Sequence, residues 1–451
     1  MQKSLIAALL AGAFFSLDAG AADLIQVYQQ ALANDAVYAS ARASEVAGKE
    51  RIPQGKASLL PTIVGSGLIT RNTGDSVSGV RSVITNPDGT SQDINTSSTN
   101  VTQKQYQISL TQPLFRWDRW QTYQQSKLQT AISEAQFAQA QQDLITRVAQ
   151  AYFDVLGAQD TLESTRSQKS AVTEQLASAK RNFEVGTQTI TDTHEAQAAY
   201  DLVIAQEFAA QADLENKRSA LLAIVGGDTV ALAPLRTGVT LASPQPATIE
   251  PWVSAAQSQN YSVTVSELSL ESAKRDIERN RAGHLPTLDL VSSHTRTLNN
   301  GEIYNTSRVS GNAIGVQLNV PIFSGFAVTS RVRESIALED KARNDLEATR
   351  RNAVLGARQA YLGVNSGLAQ VKALEAAEIS SQSALDSNKL GYQVGVRINI
   401  DVLNAQRQLF STQTDLSRAR YNTIMSGLRL KAAAGSLRES DLVPVNALLA
   451  R

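Results

Sequence analysis

Two hydrophobic patterns alternate along this chain, one with helical spacing and one with the two-residue period of strands. Helical spacing covers residues 23 to 58, 116 to 182 and 326 to 391. The two long segments contain no proline, and at about 1.5 Å of rise per residue each would extend for about 100 Å as a single helix. No compact domain needs a helix of that length.

In the second long segment, the apolar positions form a seam spaced by four and three residues, which is typical of laterally packed helices. The seam consists of Ala357, Tyr361, Val364, Leu368 and Val371. An ordinary coiled coil would give the same seam. An isolated coiled coil, however, usually carries charge on its remaining faces. Here those faces carry small residues, which favours helices with neighbours on two sides; the small residues include Ala353, Gly356, Ala360 and Gly363.

Short segments with a two-residue period precede each long helix. The clearest has apolar side chains at Ile314, Val316, Leu318, Val320 and Ile322. Its counterpart alternates at Tyr106, Ile108 and Leu110, and weaker alternation covers 62 to 70 and 287 to 295. In the two clear segments one face is apolar and the other is polar but uncharged, which suits strands between lipid and water. A strand of a soluble sandwich would give the same alternation.

The predicted strands of the first pair are separated by residues 71 to 102. This stretch is rich in Ser, Thr, Asn and Gly and contains the turn sequence Asn86-Pro87-Asp88-Gly89. Its composition predicts a solvated loop. A shorter loop is predicted at residues 299 to 310, between the strands of the second pair. Long polar loops at one end are typical of membrane barrels.

The chain also repeats itself. Gly186 and Gly395 lie 209 residues apart, as do Asp192 and Asp401, and a constant offset marks a duplicated unit. Earlier in the chain, Leu60-Pro61-Thr62 matches Leu285-Pro286-Thr287 at an offset of 225, and Pro113 matches Pro321 at 208. The difference between 225 and 208 places 17 extra residues in one loop of the first copy.

Composition argues against several classes of function. The 451 residues include 5% aromatics, three His and no Cys, so metal and thiol chemistry are poorly supplied and disulfides are excluded. A formal net charge of zero without a dense basic run argues against a nucleic-acid surface. His194, His284 and His294 are scattered, and no phosphate-binding loop follows a strand. We therefore expect no enzyme, no cofactor, no metal and no nucleic-acid partner.

The first 22 residues predict a secretory signal peptide. They contain Lys3, an apolar run from Leu5 to Leu17 and the small residues Ala19-Gly20-Ala21-Ala22. A membrane anchor is the alternative, but the apolar run is shorter than the roughly 20 residues that a span requires.

Aromatic residues gather where predicted strand becomes predicted helix. They are Phe115, Trp117 and Trp120 in the first copy, and Phe323 and Phe326 in the second. Such rings favour a membrane interface, where an apolar ring and a polar N–H are both accommodated. Core packing at the lower end of a barrel is the alternative.

Four strands cannot close a membrane barrel, because the smallest single-chain barrels use about eight. An open sheet edge in lipid would also leave backbone groups unpaired. Several copies must therefore share one barrel, and the long helices would continue from it as a second hollow cylinder.

With these features in place, the chain resembles the TolC family, the trimeric outer-membrane channel-tunnels of Gram-negative bacteria. The resemblance covers essentially the whole mature chain, from Asp23-Leu24-Ile25-Gln26 through Gly283-His284-Leu285-Pro286 to Asp401-Val402-Leu403. It implies an α+β membrane protein, a homotrimer with a 12-stranded outer-membrane β-barrel built from four strands per protomer. A 12-helix periplasmic α-barrel with a mixed α/β equatorial belt would continue this β-barrel.

The implied organisation follows the duplication. Residues 23–228 form a first structural repeat, 229–260 a linker and equatorial segment, 261–436 a second structural repeat and 437–451 a C-terminal equatorial segment.

In this family, polar links between helix pairs close the periplasmic end of the tunnel. The resemblance implies a gate made of Gln175, Thr191, Asp192, Tyr392 and Arg397. Tyr392 would bond Asp192 within a protomer, and Arg397 would reach Thr191 and Asp192 of the next one. Bonds of about a kcal/mol each would hold the closed state and still let it open. Without the resemblance, ordinary surface pairs would account for these residues.

Two aspartates one helical turn apart line the constriction in this family. Here the first position is Asp401, but the second is Asn404. One ring of carboxylates would remain, so we expect weaker cation preference and weaker block by multivalent cations.

The hairpin tips match the sequences with which the family docks periplasmic adaptor (membrane fusion) proteins. They are Val185-Gly186-Thr187 and Val394-Gly395-Val396. A turn that ends a helix would by itself explain the two glycines, but not the small apolar residue before each of them.

The implied function is an outer-membrane exit duct that extends into the periplasm and has a gate that opens on recruitment. It would passively conduct proteins or small toxic compounds from an inner-membrane ABC, RND or MFS transporter. A soluble periplasmic coiled-coil adaptor or scaffold is the alternative, and it would explain the helices but not the strands.

Overall fold

The computed structural model describes residues 21–85, 87–227, 231–301 and 307–450. The helices are α1 (Leu24–Asn34), α2 (Ala36–Lys49), α3 (Arg51–Ala57), α4 (Trp117–Glu184), α5 (Ile190–Val225), α6 (Glu250–Gln259), α7 (Tyr261–Arg281), α8 (Ala327–Gln393), α9 (Asn399–Ala433) and α10 (Leu442–Asn446). The strands are β1 (Thr62–Thr85), β2 (Ser91–Phe115), β3 (Thr287–Gly301) and β4 (Ser307–Asn319). All but the last two residues of the predicted signal peptide lie outside the described residues.

The two long helices are confirmed. Helix α4 has 68 residues and α8 has 67. Near the N-terminus, the single helix predicted over residues 23 to 58 is wrong, because three shorter helices occupy it. Asp35 lies between α1 and α2 and has an extended backbone, which ends α1. Its side chain accepts a 2.6 Å hydrogen bond from the Tyr38 N–H and so caps the start of α2.

The four strands form one antiparallel sheet in the order β1-β2-β3-β4. Thr62 of β1 lies opposite Thr111 of β2, and Thr287 of β3 lies opposite Asn319 of β4. Each pair is a hairpin whose register follows the repeat. The sheet has two edges, β1 and β4.

The loops predicted between the strands are too long. The loop at 71 to 102 is wrong, because β1 continues to Thr85 and β2 begins at Ser91. Paired backbone hydrogen bonds outweigh a composition that by itself favours a loop. The turn is confirmed at Pro87 to Gly89, where Gly89 has a φ of 80°; Asn86 lies outside the described residues.

The second hairpin differs from its prediction in two ways. Strand β3 reaches Gly301 and β4 begins at Ser307, which shortens the loop predicted at 299 to 310. The strand predicted to reach Ile322 ends at Asn319. Pro321 follows closely and has no N–H to donate to a neighbouring strand.

The chain forms two compact units, and each takes segments from both sequence repeats. Within the described residues, the first contains 21–45, Ala135–Val265 and 347–450. The second contains Val46–Glu134 and Ser266–Leu346. No helix in the described part of the chain combines the length and hydropathy needed to cross a membrane.

The core of the first unit is centred on α4. Tyr152 and Phe153 are buried there, and the Tyr152 hydroxyl donates to the Ala233 carbonyl at 2.8 Å. Single β-bridges join Ala22 to Leu232 and Leu235 to Leu449. These contacts bring the segments after α5 and after α9 together with the start of the chain.

A buried carboxylate in the same unit is paired with an arginine that is about one-third exposed. The Arg147 guanidinium donates two 3.0 Å hydrogen bonds to the Asp35 carboxylate, which is 4% exposed. These bonds hold the pKa of Asp35 below its ordinary value, against the opposing effect of burial.

In the second unit, α2 and α4 approach closely at a glycine. A Cβ on Gly48 would lie 2.3 Å from the Ser133 hydroxyl, and the buried Thr130 hydroxyl donates to the Gly48 carbonyl at 2.9 Å. Only a residue without a side chain fits this contact.

Candidate functional site

The two hairpin tips, where α4 turns into α5 and α8 turns into α9, share one backbone conformation. Gly186 and Gly395 have φ values of 74° and 79°. The Thr187 N–H donates to the Asn182 carbonyl, and the Val396 N–H donates to the Gly391 carbonyl, both at 2.9 Å. These bonds close the ends of α4 and α8 in the same way, and glycine is the residue that adopts such φ values without strain.

Both tips present apolar side chains to solvent. Val185, Val394 and Val396 are exposed, and nothing lies within 4 Å of a Cβ placed on either glycine. The backbone turn therefore requires glycine at these two positions, whereas packing does not. The three exposed valines are not part of an apolar core of the chain.

The helices that leave the two tips begin differently. Helix α5 has a capping box, in which the Thr189 hydroxyl accepts from the Asp192 N–H and the Asp192 carboxylate accepts from the Thr189 N–H. At the matching place, α9 follows Ile398, whose side chain cannot cap. Asp401, the counterpart of Asp192, lies 3.7 Å from the guanidinium of Arg397.

The expected bond between Tyr392 and Asp192 is not formed. The Tyr392 hydroxyl instead accepts from the Gln188 amide, in the turn before α5. The Asp192 carboxylate is held by Thr189, whose N–H and hydroxyl donate to it at 3.0 and 2.8 Å. Both of these bonds go to the Oδ2 oxygen of Asp192.

Gln175 and Asp192, two of the predicted gate residues, are brought together by a third residue that the sequence did not indicate. The Asn399 carbonyl oxygen accepts from the Gln175 amide at 2.6 Å. The Asn399 amide donates to the backbone carbonyl of Asp192 at 3.1 Å. Asn399 thus connects α9 to both α4 and α5. Comparison with Ile190, its counterpart at the 209-residue offset, would have singled it out.

The other predicted residues lie on the surface of the same region. Thr191 and Asn404 are exposed, and the Arg397 side chain is 58% exposed. Asp401 is about one-third exposed. Within the described residues, Arg397 has no bond to Thr191 or Asp192 of its own chain.

Beneath these polar groups lie two small apolar clusters. Leu176 and Ala196 pack with Leu403, which joins α4, α5 and α9. Leu385 packs with Val402 and Leu409, which joins α8 to α9. The first turn of α9 is therefore shared between the two hairpins.

The predicted interface aromatics belong to the second unit, and all five side chains are exposed. The Phe323 and Phe326 rings contact edge to face, with centroids 5.4 Å apart. Phe326 has a φ of 63°, which is unusual for a residue other than glycine. In the part of the chain that the structure describes, no group of three His, Asp or Glu side chains is arranged to hold a metal ion.

Long antiparallel helices, paired tips and a four-stranded sheet define the class of outer-membrane export channels. The chain belongs to the outer membrane efflux protein family, which it matches over residues 27–227 and 252–436. It is 35% identical to the outer membrane protein TolC of Vibrio cholerae serotype O1, over 99% of this chain and 98% of that protein. It is 32% identical to the alkaline protease secretion protein AprF of Pseudomonas aeruginosa, over 96% of this chain and 89% of that protein.

The fold agrees with solved channels. The crystal structure of the Campylobacter jejuni CmeC outer membrane channel matches with a TM-score of 0.77 at 18% identity, over 95% of this chain and 90% of that one. By its family, and not by this likeness of fold, the protein is an outer-membrane exit channel and not an enzyme. The alternative of a soluble scaffold is not favoured.

Proposed function

We propose that three copies of this chain assemble into one gated outer-membrane duct, in which their sheets join into a single 12-stranded barrel. The first support is the topology of the sheet. Strands β1 and β4 form its edges, and a long edge strand exposes a row of N–H and C=O groups that a second strand can pair with. Pairing β1 of one copy with β4 of the next satisfies both edges.

The second support, and the one that carries the proposal, is that β4 is exposed on both of its faces and that one of these faces is apolar. Every residue of β4 after Ser307 is exposed. Ile314 is 78% exposed, Val316 60% and Leu318 63%, all on one face. A sheet without a core on either face is not stable in water. Lipid against the apolar face and water against the polar face would stabilise it.

Cysteine crosslinking tests this assembly. The chain has no Cys, so a variant with Gly65→Cys in β1 and one Cys in β4 contains only the two introduced thiols. Within one chain these strands are separated by β2 and β3, or about 14 Å at the usual strand spacing, and a disulfide needs Cα atoms within about 7 Å. Moving the second Cys from Ser310 to Leu318 scans the register between neighbouring copies.

We expect at least one register to give covalent dimers and trimers on non-reducing gels, with a ladder that ends at three. The variants with one Cys serve as controls and should give no ladder. Monomers in every register, or a ladder that continues beyond three, would contradict the trimeric barrel.

The gate is proposed at the tips, in an arrangement that differs from the one the resemblance implied. Tyr392 acts through Gln188 within a chain, because its hydroxyl accepts from the Gln188 amide. Arg397 is mostly exposed, and in the trimer it reaches Thr191 and Asp192 of the next copy. Asp401 provides a single ring of carboxylates, because Asn404 is neutral.

The exposed tips are the proposed docking points for a periplasmic adaptor, because small apolar side chains there are free to pack against another hairpin. The aromatic residues at the strand-to-helix junctions are proposed to lie at the membrane interface. One of the two relatives, AprF, is named as an alkaline protease secretion protein. By this relationship we propose proteins and small toxic compounds as cargo, delivered by an ABC, RND or MFS transporter.

A further inference from the structure

A fully buried amide marks the first turn of α9. Asn399 is 0% exposed, and both ends of its side-chain amide are hydrogen-bonded to other helices. The carbonyl oxygen accepts from Gln175 of α4, and the amide donates to the Asp192 carbonyl of α5. A buried side chain of this kind joins three helices through two bonds.

The duplicated unit gives an internal comparison for this position. The counterpart of Asn399 at the 209-residue offset is Ile190, which is 47% exposed. The apolar residue is therefore in solvent and the polar one is buried, which reverses the usual preference. Packing alone would favour an apolar residue at the buried position, so packing does not account for the amide there.

The start of α9 depends on these bonds more than the start of α5 does. Thr189 and Asp192 cap α5 from within its own turn. Ile398 offers no side-chain cap to α9. Besides the 3.7 Å pair of Arg397 and Asp401 within the same hairpin, the polar side-chain contacts of its first turn are made with Gln175 and Asp192, which belong to the other hairpin. If the hairpins separate, Asn399 loses both partners at once.

We propose that Asn399 is a positioning residue of the gate, a latch that holds the α8–α9 tip against α4 and α5 in the closed state. This inference rests on the proposed function. Two hydrogen bonds suit a reversible latch, because water replaces both when the tip moves away, whereas an apolar contact of equal area would resist exposure.

Single-channel recording in planar bilayers tests the latch, with four variants. Asn399→Leu keeps the shape of the side chain and removes both bonds. Gln175→Met removes one bond from the partner side, and the double variant combines the two. Gln406→Met is the matched control, since Gln406 is also buried on α9, two turns further on, and its side-chain oxygen has no hydrogen-bond partner.

Loss of one or two such bonds should raise the ratio of open to closed time by about five- to thirty-fold. We expect Asn399→Leu to show the full rise and Gln175→Met a smaller one. The double variant should match Asn399→Leu alone, because the two residues share a bond. Gln406→Met should behave like wild type.

Unchanged gating in both Asn399→Leu and Gln175→Met would overturn the latch, even if a Tyr392→Phe, Arg397→Ser variant opens and the proposed gate stands. A double variant whose effect is the product of the two single effects would also overturn it. If Asn399→Leu does not assemble, Gln175→Met alone decides, and wild-type gating in it refutes the latch. Wild-type trimer that forms no channel would remove the proposed function and the latch together.

Discussion

At the scale of single residues, the pair formed by the buried Asp35 and the partly exposed Arg147 shows how burial and charge affect stability away from the tips. The Asp35 carboxylate caps α2 and binds Arg147 at the same time. Its pKa is lowered chiefly by the hydrogen bonds from Arg147. The folded state therefore favours the ionised carboxylate, and this contribution to stability is complete above the unfolded pKa of about 4.

Removing Arg147 should destabilise the protein in a pH-dependent way. Arg147→Met leaves a buried carboxylate without its partner, which costs about 2 to 4 kcal/mol at pH 7. As the pH falls below the unfolded pKa of about 4 and through the lowered folded pKa, wild type loses the same contribution, so the difference in unfolding temperature between the two proteins should be smaller in acid than at pH 7. Thermal unfolding of wild type and Arg147→Met, followed by circular dichroism at pH 7 and in acid, measures this difference.

Lys217→Met is the control for this prediction. Lys217 lies 3.6 Å from Asp154, and both side chains are more than one-third exposed, so its loss should cost less than about 1 kcal/mol. Equal effects of the two substitutions, or an Arg147→Met effect that does not change with pH, would contradict the role assigned to Asp35.

Residue identities at the tips could be predicted from the sequence, but their partners could not. The glycines are required by the turn, and the duplication locates them. The partner of Tyr392 is Gln188, in the turn before α5, and this contact between separate hairpins is not specified by the sequence pattern. The hydrophobic pattern does not predict the role of Asn399, because a single amide in an apolar stretch gives no periodic signal.

At the scale of elements, the two hairpins share a tip but differ in how the second helix begins. The capping box of α5 is local, whereas the first turn of α9 relies on contacts with α4 and α5. Local unfolding starts where local bonds are few. The first turn of α9 therefore depends more on the neighbouring hairpin than the first turn of α5 does.

Removing the cap should affect one helix only. Thr189→Val keeps the shape of the side chain and removes the hydroxyl, which costs the first turn of α5 about 1 kcal/mol. Hydrogen exchange at the amides of residues 191 to 193 should accelerate about fivefold. Ile398→Val is the matched change at the same repeat position, where no side-chain cap exists, and should leave exchange at 400 to 402 unchanged. Similar acceleration at both positions would contradict the difference between the helices.

The long helices were predictable as elements, and the strands only in part. Proline-free segments with helical spacing gave α4 and α8 to within two residues. The outer halves of β1 and β2 carry Ser, Thr, Asn and Gly, a composition shared by loops and exposed strands. Only pairing between the two strands distinguishes them, and pairing is not local in sequence.

At the scale of the whole molecule, the sheet is the part of the protein that a single chain leaves incomplete. It has two edges, β1 and β4, and along β4 both faces are exposed. The sequence predicted that four strands need further copies, since the closure rule depends only on strand number. It could not set the register between copies, because no pattern within one chain specifies it.

A positive charge on the apolar face of β4 should reduce the amount of trimer, whereas the same charge on the polar face should not. Val316→Arg places a cation on the apolar face, at a cost of about 2 to 4 kcal/mol if that face meets lipid. Heat-modifiable trimer in outer-membrane fractions should fall sharply. Gln317→Arg, at the same depth on the opposite face, should leave the trimer at wild-type levels. Equal trimer levels in the two variants, or a greater loss of trimer with Gln317→Arg, would contradict the claim that the Val316 face of the sheet meets lipid.

The most direct test of the gated duct is single-channel conductance of purified protein in a planar bilayer. Wild type should conduct weakly, because the tips are held closed, and a Tyr392→Phe, Arg397→Ser double variant should conduct several-fold more. A wild-type conductance that is already large and does not change in the variant would contradict a gate at these residues. No conductance from folded trimer would contradict the duct itself.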